Sequence, residues 1–200
     1  LLLTSRRGPD APGAAEFSQE LEALGAKVTI AAVDMTQKRD LHEALVSLPQ
    51  DFPLQGIMHT AGVLDDGVLH ELNAERMQRV LAPKVNGAWY LHELTQEMEL
   101  DCFVLFSSIA GVMGAAGQGN YAAANVALDA LAHYRKSRGY AATSIAWGPW
   151  SMGGMAAELS SGDQLRLKRQ GLSPIEPEQG MQWLEEKEEN SGTMDTYMDT

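Results

Sequence analysis

The sequence has a single cysteine, Cys102, so no internal disulfide can form and a reducing, cytoplasmic setting is expected. It lacks any apolar stretch long enough to span a bilayer. The opening "LLLTSRRG" has neither an initiating Met nor the apolar run of a secretion signal, and reads as the interior of a longer chain. Basic residues are scarce: fifteen against twenty-seven acidic ones leave a net charge of -12. That balance repels phosphate backbones and anionic lipid, so nucleic acid and membrane are poor partners. The five histidines fall at no metal-ligand spacing, so no metal is expected.

What is present suits one globular domain, with 44% hydrophobic and 21% charged residues over 200 positions. Apolar runs of strand length at 1–5, 26–33, 54–60, 101–107 and 141–147 alternate with helix-period segments. Helices are predicted over 14–24, with Phe17, Leu21 and Leu24 on one face, and over 38–48, with Leu41, Leu45 and Leu48. A long one is predicted over 74–98 with Asn73 as its N-cap, and another carries Tyr121. Strands buried on both faces and joined by helical crossovers imply an α/β, doubly wound parallel sheet. Beyond residue 150 the regularity fades, and 156–200 reads as peripheral helices over the sheet edge, with "EEKEE" at 185–189 a solvated helix end.

In such sheets ligands gather beyond the carboxyl ends of the strands. The first strand ends in Ser5, Arg6, Arg7 and Gly8. Two guanidinium groups there suit a 2'-phosphate, and an exposed basic turn is the plainer alternative. Asp34, after the second strand, either accepts from an adenine amino group or caps the next helix. In "HTAG" the small Ala61 and Gly62 leave room for a ligand, while His59 reads as a satisfied core histidine. The fourth strand delivers Ser107 and Ser108, then a small-residue loop, then Tyr121 near a helix start, with Asn125 four residues on and on the same helix face. A phenol with a pKa of roughly 10 needs a nearby cation to become a useful acid, and Lys84 in "PKVNGAW" is the candidate. Hydroxyl, phenol, ammonium and amide together fit protonation of a carbonyl oxygen while hydride arrives from a nicotinamide.

The stretches "LLLTSRRGPDAPGA", "HTAGVLDDGVL", "LAPKVNGAWYLHELT", "FVLFSSIAGVMGAAGQGNYAAAN" and "SIAWGPW" resemble the catalytic part of a ketoreductase domain of a modular type I polyketide synthase. That family lies in the short-chain dehydrogenase/reductase superfamily, with a Rossmann-like fold, and the resemblance covers most of residues 1–155. It implies Tyr121 as general acid, Ser108 bonded to the substrate carbonyl, and Lys84 and Asn125 completing a tetrad. Ser108 lies thirteen residues before Tyr121 and Lys84 thirty-seven before it, as in that branch. NADPH is the implied cofactor, touched by Ser5, Arg6, Arg7, Asp34, Met35, Thr60, Ala61, Gly62, Lys84, Tyr121, Trp147, Gly148 and Pro149. The "LDD" of Leu64, Asp65 and Asp66 resembles the B-type branch, which yields the D-(3R) alcohol; Met113 stands where the opposite branch carries Trp, and Gln118 also belongs to this substrate-facing set. Ala123 resembles the subtype without an epimerised α-substituent. From the residues alone, two adjacent acids can order a lid or cap a turn.

The same resemblance places a first strand and its glycine-rich phosphate turn before Leu1, so the first βα unit is expected to be missing and residues 1–200 alone to bind NADPH poorly. "SGTMDTYMDT" resembles the start of the last strand. The implied partners are an acyl carrier protein bearing a β-ketoacyl-phosphopantetheine and neighbouring synthase domains. A free-standing reductase of small ketones and a catalytically silent scaffold are the alternatives.

Overall fold

Two parallel sheets carry the chain in this computed structural model, which describes residues 1–152, 171–189 and 195–197. In the smaller sheet, β1 (Leu2–Ser5) pairs with β2 (Thr29–Ala32). The larger has the order β3 (Gly56–His59), β4 (Cys102–Ser108), β5 (Thr143–Trp147), β6 (Asp195–Tyr197). All pairings are parallel, so each crossover brings a helix with it: α1 (Ala14–Ala23), α2 (Lys38–Val46), α3 (Ala74–Leu81), α4 (Gly87–Leu94) and α6 (Gly119–Ser137). The short α5 (Ala110–Met113) follows β4, and α7 (Pro177–Glu189) lies late in the chain. The "EEKEE" run forms the end of α7; residues 153–170 and the side chains of 186–189 lie outside the described residues.

The period-two alternation of strand side chains sorts the core. From β4, Phe103 and Leu105 join Val33, Leu41, Ile57, Ala88, Leu91, Leu128 and Leu131 under α2, α4 and α6. Val104 joins Ile145, Trp147, Ile175 and Leu184 in a second cluster beneath α7. Helices therefore cover both faces of β4 and β5, and each fully buried leucine or isoleucine contributes roughly 1.5–3 kcal/mol.

Burial on both faces does not extend to β1, β2 and β3. Thr4 and Ser5 of β1 are exposed, and Met58 of β3 is 52% exposed. The cause is adjacency: among the described residues β1 pairs only with β2, and β3 only with β4. Each of these strands leaves one edge without a neighbour, and no described helix covers Met58.

The predicted helix over 74–98 exists with two differences. Asn73 caps it, its Oδ1 accepting from the Arg76 backbone N–H at 3.0 Å. The helix ends at Leu94, and between α3 and α4 it widens into a π turn, Ala82–Asn86. Pro83 explains the widening, because a residue without an N–H cannot close an α-helical bond and its ring crowds the preceding turn. The Gly87 N–H accordingly reaches back five residues to the Ala82 carbonyl.

Candidate active site

Register carries the site to one end of the larger sheet, where Ser108 at the end of β4 lies beside Trp147 at the end of β5. Gly114 and Gly117, with φ of +74° and +79°, turn the chain into α6. Tyr121 is the third residue of that helix and is 8% exposed; Asn125, one turn on, is fully buried. The Asn125 amide donates to the Tyr121 carbonyl at 2.8 Å, and its own backbone carbonyl accepts from Ser107 Oγ at 3.3 Å. Its side-chain oxygen is buried and has no hydrogen-bond partner among the described residues. The small Gly111 packs beside it, where a Cβ would sit 3.3 Å from Asn125 Cβ.

Lys84 occupies the π turn and is 2% exposed. Its ammonium donates to the Phe106 carbonyl at 2.9 Å and stands 5.3 Å from the centre of the Tyr121 ring. Burial lowers its pKa to about 8, and the Asp129 carboxylate on α6 opposes that fall. Asp129 is itself buried and accepts from Ser144 Oγ of β5 at 2.6 Å. For Tyr121, burial pushes the phenol above its ordinary value, while hydrogen bonds from Ser108 and Asn125 pull it down and Asp66 pushes it up. At the roughly 5 Å that separates the ammonium from the ring centre, opposite unit charges attract by roughly 3 kcal/mol at an effective dielectric of about 20, the order of support a phenolate on this ring would receive. All four residues of the expected tetrad are thus brought together.

The loop holding Leu64, Asp65 and Asp66 is laced to its surroundings. Asp65 pairs with Arg76 at 2.9 Å and with Arg79 at 3.0 Å, both on α3. The Asp66 carbonyl accepts from Arg76, and its carboxylate from the Gln118 amide at 2.8 Å. Asn120 donates to the Asp65 carbonyl at 2.8 Å and accepts the Tyr121 backbone N–H at 2.9 Å. Leu64 packs against the cluster of Val80, Ala110, Tyr121 and Ala124. These contacts tie the loop to α3 and to the start of α6, an order that a lid over Tyr121 would need. Met113 is exposed. Asn120, Arg76, Arg79, Asp129 and Ser144 were not singled out by sequence. For Asn120 the signal was there, since a short amide at a helix start commonly bonds backbone.

Beyond β1 and β2 lie the residues expected to meet the adenosine end of the cofactor. Gly8, at φ +52°, lies so close to β2 that a Cβ would come within 2.5 Å of the Ala32 nitrogen. That tight turn presents Arg6 and Arg7, both exposed and without an ion pair among the described residues. The Ser5 hydroxyl braces the turn by accepting from the Gly8 N–H at 2.9 Å. One Asp34 oxygen accepts from the Thr36 N–H and hydroxyl at 2.9 and 2.8 Å, so Asp34 shapes the loop before α2 rather than capping the helix. Met35 packs beside Gly87; Thr60 is exposed, and Ala61 and Gly62 are half-buried. Trp147 differs from the rest of the expected cofactor set. Its ring packs, tilted, against Phe106 and Trp150 within the second core cluster, and its carbonyl accepts from the Ile109 N–H at 2.9 Å. Gly148 beside it is buried as well, and half-buried Pro149 accepts from the Ile175 N–H at 2.7 Å.

Among the described residues no His, Cys, Asp and Glu side chains cluster as metal ligands, and no helix is long and apolar enough to cross a membrane. The family described as "KR domain" matches residues 1–152. The spectinabilin polyketide synthase system protein NorB of Streptomyces orinoci is 50% identical over 183 residues, covering 90% of this chain and 8% of that protein. A solved structure described as "A-type Ketoreductases from Modular Polyketide Synthase" superposes with a TM-score of 0.94 at 47% identity, over all of this chain and 42% of the other. The first ketoreductase of the tylosin synthase gives 0.91 at 45% identity, over all of this chain and 43% of its own. The chain thus spans less than half of the solved ketoreductases and a small part of the synthase.

Proposed function

The chain belongs to the ketoreductase-domain family of modular polyketide synthases, and from that premise we propose that it reduces a β-ketoacyl thioester held on an acyl carrier protein, using NADPH. The observation that carries the reading is the grouping of half-buried Ser108 with buried Tyr121 and Asn125, the Lys84 ammonium standing 5.3 Å from the centre of the phenol ring. Arg6 and Arg7 would hold the 2'-phosphate, with Asp34 and Met35 beside the adenine and Thr60, Ala61, Gly62, Gly148 and Pro149 along the rest of the cofactor. When bound, that cofactor supplies the hydride that reaches the carbonyl carbon. Ser108 donates to the carbonyl oxygen and orients it. Tyr121 delivers its proton to the same oxygen as the negative charge develops, leaving a phenolate. Lys84 offsets that charge, and Asn125 fixes the turn of α6 from which Tyr121 projects.

For stereochemistry, the reading is B-type, giving the D-(3R) alcohol. It is supported by the tethered loop: Leu64 packed against the Tyr121 cluster, Asp65 tied to α3 and Asp66 bonded to Gln118. A three-residue loop contributes little to whole-chain similarity, which the shared core dominates. Met113, exposed near the same mouth, and Gln118 complete the surface past which the acyl chain would enter.

Turnover of a surrogate β-ketoacyl thioester by the full-length domain tests the reading. Tyr121→Phe is expected to lower kcat by at least about a hundredfold, the lower range for removing a general acid. An unchanged rate overturns the role of Tyr121, and the absence of turnover by the unaltered domain favours a silent scaffold. Acyltransferase or carrier-protein sequence on either side of the encoded chain would exclude a free-standing reductase.

A further inference from the structure

Catalysis as read above draws on Lys84, yet nothing so far explains what holds Lys84 where it is. A lysine side chain is long, and among the described residues the ammonium hydrogen-bonds to the Phe106 carbonyl alone. The backbone beneath it is a π turn, the less stable helical register. A turn of this kind needs support from outside its own ladder.

That support comes from β3. His59, the last residue of that strand, is 2% exposed, and its Nε2 lies 2.8 Å from the Lys84 carbonyl oxygen. A carbonyl only accepts, so the ring carries its proton on Nε2 and donates. Burial lowers the His59 pKa to about 4, and the ring is neutral at physiological pH, where it keeps this single donor geometry. A second feature makes room for it. Gly87 follows the π turn, and a Cβ there would come within 3.3 Å of His59 Cε1 and 3.2 Å of Met35 Cβ. The glycine lets the ring approach the widened backbone.

We infer that His59 is a positioning residue: it clamps the π turn through the Lys84 carbonyl and so aims the Lys84 ammonium at Tyr121. The inference rests on the roles proposed above for Lys84 and Tyr121. It goes beyond them in assigning a task to a strand histidine that touches neither substrate nor hydride. Three charged or titratable groups surround the pair from the packed elements: Asp66 of the lid loop acts on Tyr121, Asp129 of α6 acts on Lys84, and His59 itself is neutral.

The test uses the full-length ketoreductase domain running in the alcohol-oxidation direction with NADP⁺, where the phenolate of Tyr121 is the required form. His59→Phe keeps an aromatic ring, larger by one ring atom, and removes the donor, while His59→Gln restores a side-chain N–H. Loss of aim should raise the apparent pKa of kcat by about one unit and lower kcat roughly tenfold to a hundredfold, the cost of displacing a catalytic group by an ångström. KM for the alcohol should stay within about twofold, and His59→Gln should recover part of both effects. Lys84→Met sets the ceiling for the upward shift, and Gly87→Ala, which crowds the same ring, should move kcat in the same direction by less. An unchanged kcat in His59→Phe, or a lower kcat at an unchanged apparent pKa, overturns the inference. If His59→Phe does not fold, the Gly87→Ala and His59→Gln profiles decide in the same way. Full activity in Lys84→Met or Tyr121→Phe would instead sink the underlying reading, so the two failures are distinguishable.

Discussion

The Lys84 ammonium donates to the Phe106 carbonyl, 2.9 Å away on β4, and not to the Tyr121 phenol whose ring centre is 5.3 Å from it. Lysine and tyrosine are therefore coupled through space. A strand carbonyl anchors the cation, which therefore does not occupy the phenol that is proposed to pass its proton to substrate.

Lys84→Met should separate function from stability. Loss of the cation is expected to cut kcat by about a hundredfold or more, consistent with about 3 kcal/mol of electrostatic support. Burial holds the pKa of Lys84 at about 8 against an ordinary 10.5, so removing the charge relieves at most about 3 kcal/mol. An orphaned Phe106 carbonyl costs back about 1–3 kcal/mol. Thermal melting should thus show a variant as stable as the parent or more so.

The alkaline limb of ketone reduction should fall near pH 8, where Lys84 loses its proton while the Tyr121 phenol, raised above its ordinary value, keeps its own. Stability should move the other way. Between about 8 and 10.5 the unfolded chain holds a proton on this lysine that the folded chain does not, and stability rises with pH through that window. Steady-state rates and chemical denaturation over the same pH range check both signs.

Arg6→Ala and Arg7→Ala should weaken NADPH and leave NADH nearly unaffected. Each lost charge-assisted contact is worth about 1.5–3 kcal/mol, or roughly tenfold or more in the NADPH KM of the full-length domain. Comparison of the two cofactors in the same variant is the measurement.

Releasing the lid should loosen product stereochemistry before it abolishes turnover. Asp65→Asn leaves Arg76 and Arg79 without their shared carboxylate, which lies in a partly buried pair on one side and an exposed one on the other. The expected result is a measurable fraction of the opposite alcohol by chiral analysis, with a stability loss of about 1 kcal/mol or less.

Most of the fold was legible because burial and periodicity speak locally. The apolar runs around Ile57, Val104 and Ile145 became strands, and Leu41 and Leu128 mark buried helix faces. The tetrad was legible through its spacing and the family resemblance. Other features depend on neighbours that no local window contains. Met58 is exposed because β3 has no partner on one side among the described residues, and Trp147 lies in the core where Phe106 and Trp150 pack against its ring. The links from Asp65 to Arg76 and from His59 to the Lys84 carbonyl join separate elements. Pro83 was visible throughout, and its effect on helical register was a sequence signal left unread.

The widened turn at 82–86 amounts to one surplus residue between two ordinary helices. Each residue advances an α-helix by about 100°, so excising one here would swing everything on one flank by that angle relative to the other. Either the amine or the apolar stripe of α4, with Ala88 and Leu91, could then meet its target, never both. A shortened chain of this kind would be the more regular protein and a poor reductase.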